Sequence, residues 1–157
     1  MVAKDPRATV PANDAATLTA VPDVLVATDS DAIYDDIAAA LDGPETTFRR
    51  VRRGYDVLPE VLQRPPDLTV LDLSIGNMGG MATAMNLRLE AGAGRIEPMR
   101  VMMLLDRQAD VFLAKRSAAE GWLVKPLDPI RVRKAAVAIM AGERYEEGAL
   151  EAPSRLS

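Results

Sequence analysis

The sequence contains no cysteine and no histidine. Without cysteine the chain has no disulfide, no thiolate nucleophile and no cysteine-based metal site. Without histidine it lacks the commonest general base and metal ligand, and it cannot be a histidine phosphocarrier. Any chemistry must therefore use carboxylates, lysine, serine, threonine or tyrosine.

The sequence also lacks long apolar runs and an excess of positive charge. No run approaches the ~18 apolar residues of a membrane span, and the first residues lack the apolar core of a signal peptide. The net charge is −4, and the basic run RRVRR (49–53) has no interleaved aromatic residues, so it is interpreted as a solvated strand face. These absences predict a soluble, cytoplasmic protein that binds neither membrane nor nucleic acid directly.

The length predicts one domain with a flexible segment at each end. The 157 residues, of which 48% are apolar, are enough to bury a core. Residues 1–22 hold three prolines and no sustained period, which predicts a flexible arm. Residues 143–157 are charged and are predicted to form a flexible tail, in which Tyr145 and Leu150 are the side chains able to dock. The folded domain is then 23–142.

Between these ends, short apolar runs alternate with segments of helical period. Strands are predicted at 23–28, 46–51, 67–73, 100–105 and 121–124, and helices at 31–41, 55–64, 81–91, 109–120 and 128–142. Five strands alternating with five helices predict parallel βαβ units, with helices on both faces of one sheet. The strands are apolar almost throughout, as a sheet covered on both faces requires.

Polar residues fall at the predicted carboxyl ends of the strands, where such sheets bind ligands. Asp29 and Ser30 follow the first strand, Asp72 ends the third, and Lys125 ends the fifth. Carboxylates attract a hard divalent cation such as Mg²⁺, and a lysine binds phosphoryl oxygens. A carboxylate that attacks phosphorus needs such positive charge because both reactants are anions.

Three motifs together resemble the receiver domain of two-component response regulators. They are VLVATDSD at the first strand, DLTVLDLSIGNMGGM around Asp72, and GWLVKPLDP around Lys125. The resemblance covers about residues 23–141. It implies an α/β flavodoxin-like (βα)5 fold, with a doubly wound parallel five-stranded sheet in the order 2-1-3-4-5.

The resemblance also implies roles for individual residues. Asp72 would accept a phosphoryl group from a sensor histidine kinase or a phosphotransfer protein. Asp29, Asp72 and the backbone carbonyl of Ser74 would bind Mg²⁺, and Lys125 would contact the phosphoryl group. Trp122 stands at the position of the family's switch aromatic, and in relatives the peptide bond after the lysine is cis.

Several positions depart from the family pattern, among them Thr28 and Leu105. Thr28 replaces the first acid of the usual pair, which should weaken Mg²⁺ binding without abolishing it. Leu105 is the best match to the family's serine or threonine at the end of strand 4, although the helix that follows is about two residues short. A shifted register gives the same result, since Met103 and Leu104 also lack a hydroxyl. The chain is therefore either an atypical receiver with a weakened switch or a phosphate-independent scaffold that binds a protein partner.

The face formed by helix 4, strand 5 and helix 5 is the predicted partner surface and a possible homodimer interface, because relatives dock there. Its predicted exposed residues are Phe112, Lys115, Trp122 and Arg133. No recognisable output domain follows residue 142, so a stand-alone receiver is expected to signal to a downstream protein through contacts. It is not expected to be an enzyme, beyond weak autophosphatase activity at most.

Each candidate residue also has a structural alternative. Asp72 or Asp29 can cap the turn after its strand, Lys125 can be a solvated lysine, and Trp122 can be ordinary packing. A small hydrolase or nucleotide-binding protein of the same topology is a further alternative. It is disfavoured because ATDSDA, after the first strand, has no glycine for a phosphate-binding loop.

Overall fold

The fold is a parallel sheet with helices on both faces, seen in a computed structural model that describes residues 23–147. The predicted arm (1–22) and residues 148–157 of the predicted tail, including Leu150, lie outside the described residues. The strands are β1 (Asp23–Ala27), β2 (Thr47–Val51), β3 (Leu68–Asp72), β4 (Val101–Leu105), β5 (Gly121–Val124) and β6 (Tyr145–Glu146).

Five α-helices connect the strands. They are α1 (Asp31–Leu41), α2 (Val57–Gln63), α3 (Gly80–Gly92), α4 (Val111–Arg116) and α5 (Pro129–Met140), and 3-10 turns at Gly54–Asp56 and Gln108–Asp110 lead into α2 and α4. None of the helices in this part of the chain is long and apolar enough to cross a membrane.

The sheet has the order β2-β1-β3-β4-β5-β6, with every neighbouring pair parallel. The predicted order 2-1-3-4-5 is confirmed. The predicted number of five strands is wrong, because Tyr145–Glu146 pairs with the outer edge of β5. The segment 143–147, predicted to be part of a loose tail, therefore contributes a strand of the sheet.

The strands alternate their side chains between two buried layers. Leu25, Leu71, Met103 and Leu105 belong to one layer, which packs against α2, α3 and α4. Val26, Val70, Met102 and Leu104 belong to the other, which packs against α1 and α5. Because both faces are covered, the strands are apolar at successive positions instead of alternating with polar residues.

N-cap residues set where α1 and α5, the two helices on the same face of the sheet, begin. The Ser30 hydroxyl accepts a hydrogen bond from the Ile33 amide at the start of α1. The Asp128 carboxylate accepts one from the Ile130 amide at the start of α5, with Pro129 as its first residue. Both are N-caps, which satisfy amides that have no partner within the helix.

Helix α4 is shorter than the predicted 109–120. It ends at Arg116, where the Ser117 hydroxyl donates a hydrogen bond to the Ala114 carbonyl. Ala118 then adopts a left-handed conformation, with φ of 63°. The short helix does not disturb the strands: Leu105 is the last residue of β4 and pairs with Val124. Its match to the family's serine or threonine stays a prediction.

Candidate phosphoacceptor site

The carboxyl ends of β1, β3 and β5 bring Thr28, Asp72 and Lys125 into direct contact. Asp72 is the last residue of β3 and is almost fully buried, at 1% exposure. The Lys125 ammonium lies 2.7 Å from Asp72 Oδ1. The Thr28 hydroxyl lies 2.7 Å from Asp72 Oδ2. A parallel sheet places these residues together because its strands all end at one edge.

Both oxygens of the Asp72 carboxylate are hydrogen-bonded. Besides Lys125, Oδ1 accepts bonds from the Ser74 amide at 3.2 Å and the Ser74 hydroxyl at 3.0 Å. Burial raises the pKa of Asp72, but the hydrogen bonds from Lys125 and Thr28 outweigh burial and hold it below its usual value. The carboxylate is therefore ionised at neutral pH, as a nucleophile must be.

The direction of the Thr28 hydrogen bond follows from its neighbours. Thr28 is fully buried, and its hydroxyl oxygen accepts a bond from the Ser30 amide at 3.1 Å. Its single hydroxyl proton is then donated to Asp72 Oδ2. Where relatives carry an acid, this chain thus has a neutral donor that binds the candidate phosphoacceptor itself.

Lys125 has a second carboxylate partner that the sequence analysis misses. Its Nζ atom lies 2.8 Å from Asp106 Oδ1. Burial lowers the pKa of Lys125, but the hydrogen bonds to Asp106 and Asp72 outweigh burial and raise it. Asp106 follows β4 directly, so the strand-end criterion that selects Asp72 would also have selected it. The peptide bond after Lys125 is cis, as the resemblance implies.

Asp29 lies at the rim of the site and is exposed. Its Oδ2 atom accepts a hydrogen bond from the Gly76 amide at 3.0 Å, so it ties β1 to the loop after Asp72. Ser74 is also exposed and lies in this loop. The two residues stand where the predicted metal site requires them, and their role as metal ligands stays a prediction.

A glycine in the loop after Asp72 allows helix α3 to lie close to strand β3. The loop residues with a left-handed backbone are not glycines but Asn77 and Met78, with φ of 57° and 62°. A Cβ atom at Gly80 would lie 2.6 Å from the Asp72 carbonyl oxygen. Gly80 therefore allows helix α3 to begin directly against the end of β3.

The oxygen donors of the site fit a hard cation only in part. Among residues 23–147, no group of three or more Asp, Glu, His or Cys side chains is placed to hold a metal ion. Asp29 and Asp72 supply carboxylate oxygens, the ligand type that Mg²⁺ prefers. Thr28 Oγ1 binds Asp72 and contributes no charge. The donor set is thus compatible with Mg²⁺ but has one anion fewer than an acidic pair would give.

The predicted switch and partner residues divide into two groups. Leu105 and Trp122 are both fully buried and belong to the same core layer. The prediction that Trp122 is exposed is therefore wrong: its ring packs inward, and its indole N–H donates to the Glu147 carbonyl oxygen at 2.7 Å. Phe112 is 56% exposed, and Lys115 and Arg133 are exposed as well.

Comparisons with known proteins identify the family of the chain. The family model described as "Response regulator receiver domain" matches residues 24–137. The match covers most of the chain, so the chain belongs to the family of response regulator receiver domains. Receiver domains serve phosphorelay signal transduction in two-component systems, bind Mg²⁺ at an acidic pocket and interact with kinases or phosphotransfer proteins.

Two curated relatives illustrate the range of similarity. The chain is 35% identical to the nitrate/nitrite response regulator protein NarL of Escherichia coli strain K12 over 85 residues, which are 54% of this chain and 38% of NarL. It is 24% identical to protein PilH of Pseudomonas aeruginosa over 119 residues, which are 76% of this chain and 98% of PilH. The match thus spans well under half of NarL.

Solved structures show the same fold. The receiver domain of NtrX from Brucella abortus superposes with a TM-score of 0.66 at 22% identity, covering 76% of this chain and 98% of that chain. The chemotaxis protein CheY4 of Vibrio cholerae gives 0.66 at 21% identity, covering 76% and 99%. These likenesses establish a flavodoxin-like receiver fold.

Proposed function

We propose that this chain is an atypical receiver that accepts a phosphoryl group on Asp72 and signals through protein contacts. The observation that carries the proposal is the Asp72 carboxylate at the end of β3, ionised and 2.7 Å from the Lys125 ammonium. The donor would be a phosphohistidine of a sensor kinase or a phosphotransfer protein. On this proposal the chain acts in the cytoplasm.

The transfer would be an in-line displacement. An Asp72 carboxylate oxygen attacks phosphorus and forms an acyl–phosphate bond, while the P–N bond of the donor phosphohistidine breaks and its imidazole leaves and takes up a proton. Lys125 offsets charge on the phosphoryl oxygens. Within the described residues Oδ2 accepts one hydrogen bond, from Thr28, whereas Oδ1 accepts three. Oδ2 therefore keeps a lone pair for the attack and is the proposed nucleophilic oxygen.

Mg²⁺ would supply further positive charge at this point. We propose Asp29, Asp72 and the Ser74 carbonyl as its ligands, with weak affinity because Thr28 replaces an anion. Asp72 is a stoichiometric acceptor on this view, so the chain is a signalling protein and not an enzyme, with at most weak autophosphatase activity. Phe112, Lys115 and Arg133 are the proposed contacts for a downstream protein, and no direct contact with nucleic acid is proposed.

A phosphate-independent scaffold is the second candidate function. Two observations favour it: neutral Thr28 stands at the position of the family's first acid and donates to Asp72 Oδ2, and fully buried Leu105 provides no hydroxyl for a phosphoryl group. On this alternative the pocket is a relic, and the partner binds the same face whether or not phosphate is present.

Intact mass after incubation with acetyl phosphate and Mg²⁺ tests the proposed function. We expect one added phosphoryl group on the natural chain, none without Mg²⁺ and none on Asp72→Asn. Asp67→Asn is the matched control, since Asp67 precedes β3 at the opposite edge of the sheet, and it should label normally. Labelling of Asp72→Asn would refute the assignment, and no labelling of the natural chain would favour the scaffold.

Asp106, the second carboxylate partner of Lys125, leads to a separate prediction. Asp106→Asn should accelerate labelling about fivefold, because one screened charge interaction of about 1 kcal/mol in the barrier corresponds to that factor. The substitution removes an anion beside Lys125, the residue proposed to contact the phosphoryl group, and leaves Asp72 as the carboxylate partner of Lys125. The initial rate of mass gain measures the effect, again with Asp67→Asn as control. A rate equal to or below that of the natural chain would contradict this role.

A further inference from the structure

Lys125 stands where the chain leaves the sheet. The pairing of β4 with β5 ends at Leu105 and Val124, and one more backbone bond runs from the Lys125 amide to the Leu105 carbonyl at 2.9 Å. The next regular element, α5, begins at Pro129. The segment that carries the Lys125 side chain is therefore held by the sheet on its N-terminal side only.

Arg131, in the first turn of α5, binds the backbone on both sides of Lys125. Its guanidinium donates to the Val124 carbonyl at 3.0 Å and to the Pro126 carbonyl at 3.1 Å. The first of these carbonyls belongs to the peptide group that precedes Lys125, and the second lies one residue beyond it. A single rigid, planar group thus ties this segment to the start of α5.

Glu147 orients the Arg131 guanidinium for these bonds. Its carboxylate accepts hydrogen bonds from Nε and Nη2 of Arg131, each at 2.7 Å, in the bidentate geometry that makes strong charge-assisted pairs. Glu147 Oε1 also accepts a bond from the Val124 amide at 3.0 Å. Both backbone polar groups of Val124, the residue before Lys125, are therefore bound by this ion pair.

The Lys125 ammonium has two carboxylates within reach. Asp72 lies 2.7 Å away and its side chain is 2% exposed, whereas Asp106 lies 2.8 Å away and is 42% exposed. The lysine side chain is a flexible stem that carries a point charge. The site of its Cα atom therefore decides how far the ammonium extends into the buried pocket around Asp72.

We propose that Arg131 is a positioning residue for Lys125: by binding the carbonyls of Val124 and Pro126, it keeps the Lys125 ammonium where it can contact the phosphoryl group on Asp72. The inference rests on the proposed function. Within residues 23–147 Arg131 makes no hydrogen bond or ion pair with Asp72, so it acts through Lys125.

The test measures how fast acetyl phosphate and Mg²⁺ label Asp72 in Arg131 variants of the full chain, by intact mass. We expect Arg131→Gln to label about tenfold more slowly than the natural chain, because misplacing a reacting group by about 1 Å can cost ~10²-fold. Arg131→Lys should be slowed nearly as much. A lysine keeps the charge but lacks the planar fork that reaches two carbonyls and a carboxylate.

Two control variants separate positioning from charge and from stability. Lys134→Gln removes one exposed positive charge from α5, and Ile139→Val removes a buried carbon atom near the other end of this helix. Both should label at the natural rate, and urea unfolding measures how far each variant is destabilised. Natural-rate labelling of Arg131→Lys, or slow labelling of Lys134→Gln, would show that charge alone acts. Equally slow labelling of Ile139→Val would show that general destabilisation is enough. Each of these results would overturn the proposal.

Amide exchange separates failure of this inference from failure of the proposed function, because it needs no phosphoryl donor. In Arg131→Gln we expect exchange at Val124 and Lys125 to rise at least tenfold, while exchange at Val70 in β3 changes no more than in Ile139→Val. Unchanged exchange at Val124 and Lys125 would overturn the inference, as would faster exchange with labelling at the natural rate. A natural chain that takes no label would refute the proposed function, and the exchange at Lys125 would still decide whether Arg131 fixes the backbone there.

Discussion

Beryllofluoride bound at Asp72 with Mg²⁺ should leave amide exchange across residues 105–130 unchanged. In relatives a hydroxyl at the end of strand 4 moves toward the phosphoryl group, and the aromatic of strand 5 follows. Here Leu105 provides no donor, so the ligand gains no hydrogen bond of about 1.5–3 kcal/mol to a charged acceptor. A ligand shifts the equilibrium between two conformations only by the difference between its affinities for them. The loss of ~1.4 kcal/mol of that difference lowers the ratio of the two populations about tenfold.

The structure adds a second reason for a weak response. Trp122 is already fully buried in the same core layer as Leu105, and the Glu147 carbonyl accepts a hydrogen bond from its indole N–H. Exchange measured by mass spectrometry, with binding at Asp72 shown independently by fluorine NMR, tests the expectation. Large changes in protection over these residues would show that an ordinary switch survives.

Two substitutions of Leu105 provide a matched pair of variants for the beryllofluoride experiment. Leu105→Thr and Leu105→Val have side chains of nearly the same shape, and each should cost about 1–3 kcal/mol because a fully buried leucine is truncated. Only the threonine has a hydroxyl to offer the ligand. We expect beryllofluoride to change exchange in the threonine variant alone. The same response in both variants would mean that lost packing, not the hydroxyl, controls the switch.

Gly54→Ala should destabilise the fold by about 3 kcal/mol, the upper end of the usual cost of overpacking, because the added atom would meet backbone. A Cβ atom at Gly54 would lie 1.9 Å from the Met78 carbonyl oxygen and 2.8 Å from the Asn77 carbonyl oxygen. These are backbone atoms of the loop after Asp72. The loop cannot retreat freely, because the Gly54 amide donates to the carbonyls of Gly76 and Asn77, each at 3.2 Å.

Urea unfolding of Gly54→Ala and Gly92→Ala measures this effect. Gly92 ends α3, and a Cβ atom added there would meet no other atom of the described chain within 4 Å, so its alanine variant should match or exceed the natural stability. Equal midpoints for the two variants would contradict the close approach at Gly54. A displaced loop would also move the Gly76 amide that Asp29 binds, so labelling of Asp72 should slow in Gly54→Ala.

Most of the fold follows from local patterns. The bounds of α1 and β5 agree with the predicted 31–41 and 121–124, because apolar spacing and flanking polar residues coincide there. The end of α4 could not be predicted, since Ala118 adopts a left-handed conformation that the sequence would suggest only for glycine or asparagine. Strand β6 could not be predicted either, because its short, polar segment is ordered by distant contacts, of Tyr145 and Glu146 with β5 and of Glu147 with Arg131.

The site could be predicted as a set of strand-end residues, but its hydrogen bonds could not. The placement of Asp72 and Lys125 follows from a parallel sheet with polar strand ends. The hydrogen bond from Thr28 to Asp72 and the bond from Lys125 to Asp106 depend on side-chain orientation at those ends. Sequence position alone does not determine which oxygen a hydroxyl binds, or whether a lysine has one carboxylate partner or two.

The two outer strands of the sheet also bear on aggregation. An unpaired strand edge can pair with another chain, and proteins limit this hazard with short or charged edge strands. On one side, β2 carries Arg49 and Arg50, which bind carboxylates of neighbouring elements. On the other, β6 is two residues long and covers the apolar strand GWLV. The Glu147 carboxylate, which accepts a hydrogen bond from the Val124 amide and pairs with Arg131, therefore contributes to the protection of the more apolar edge of the sheet.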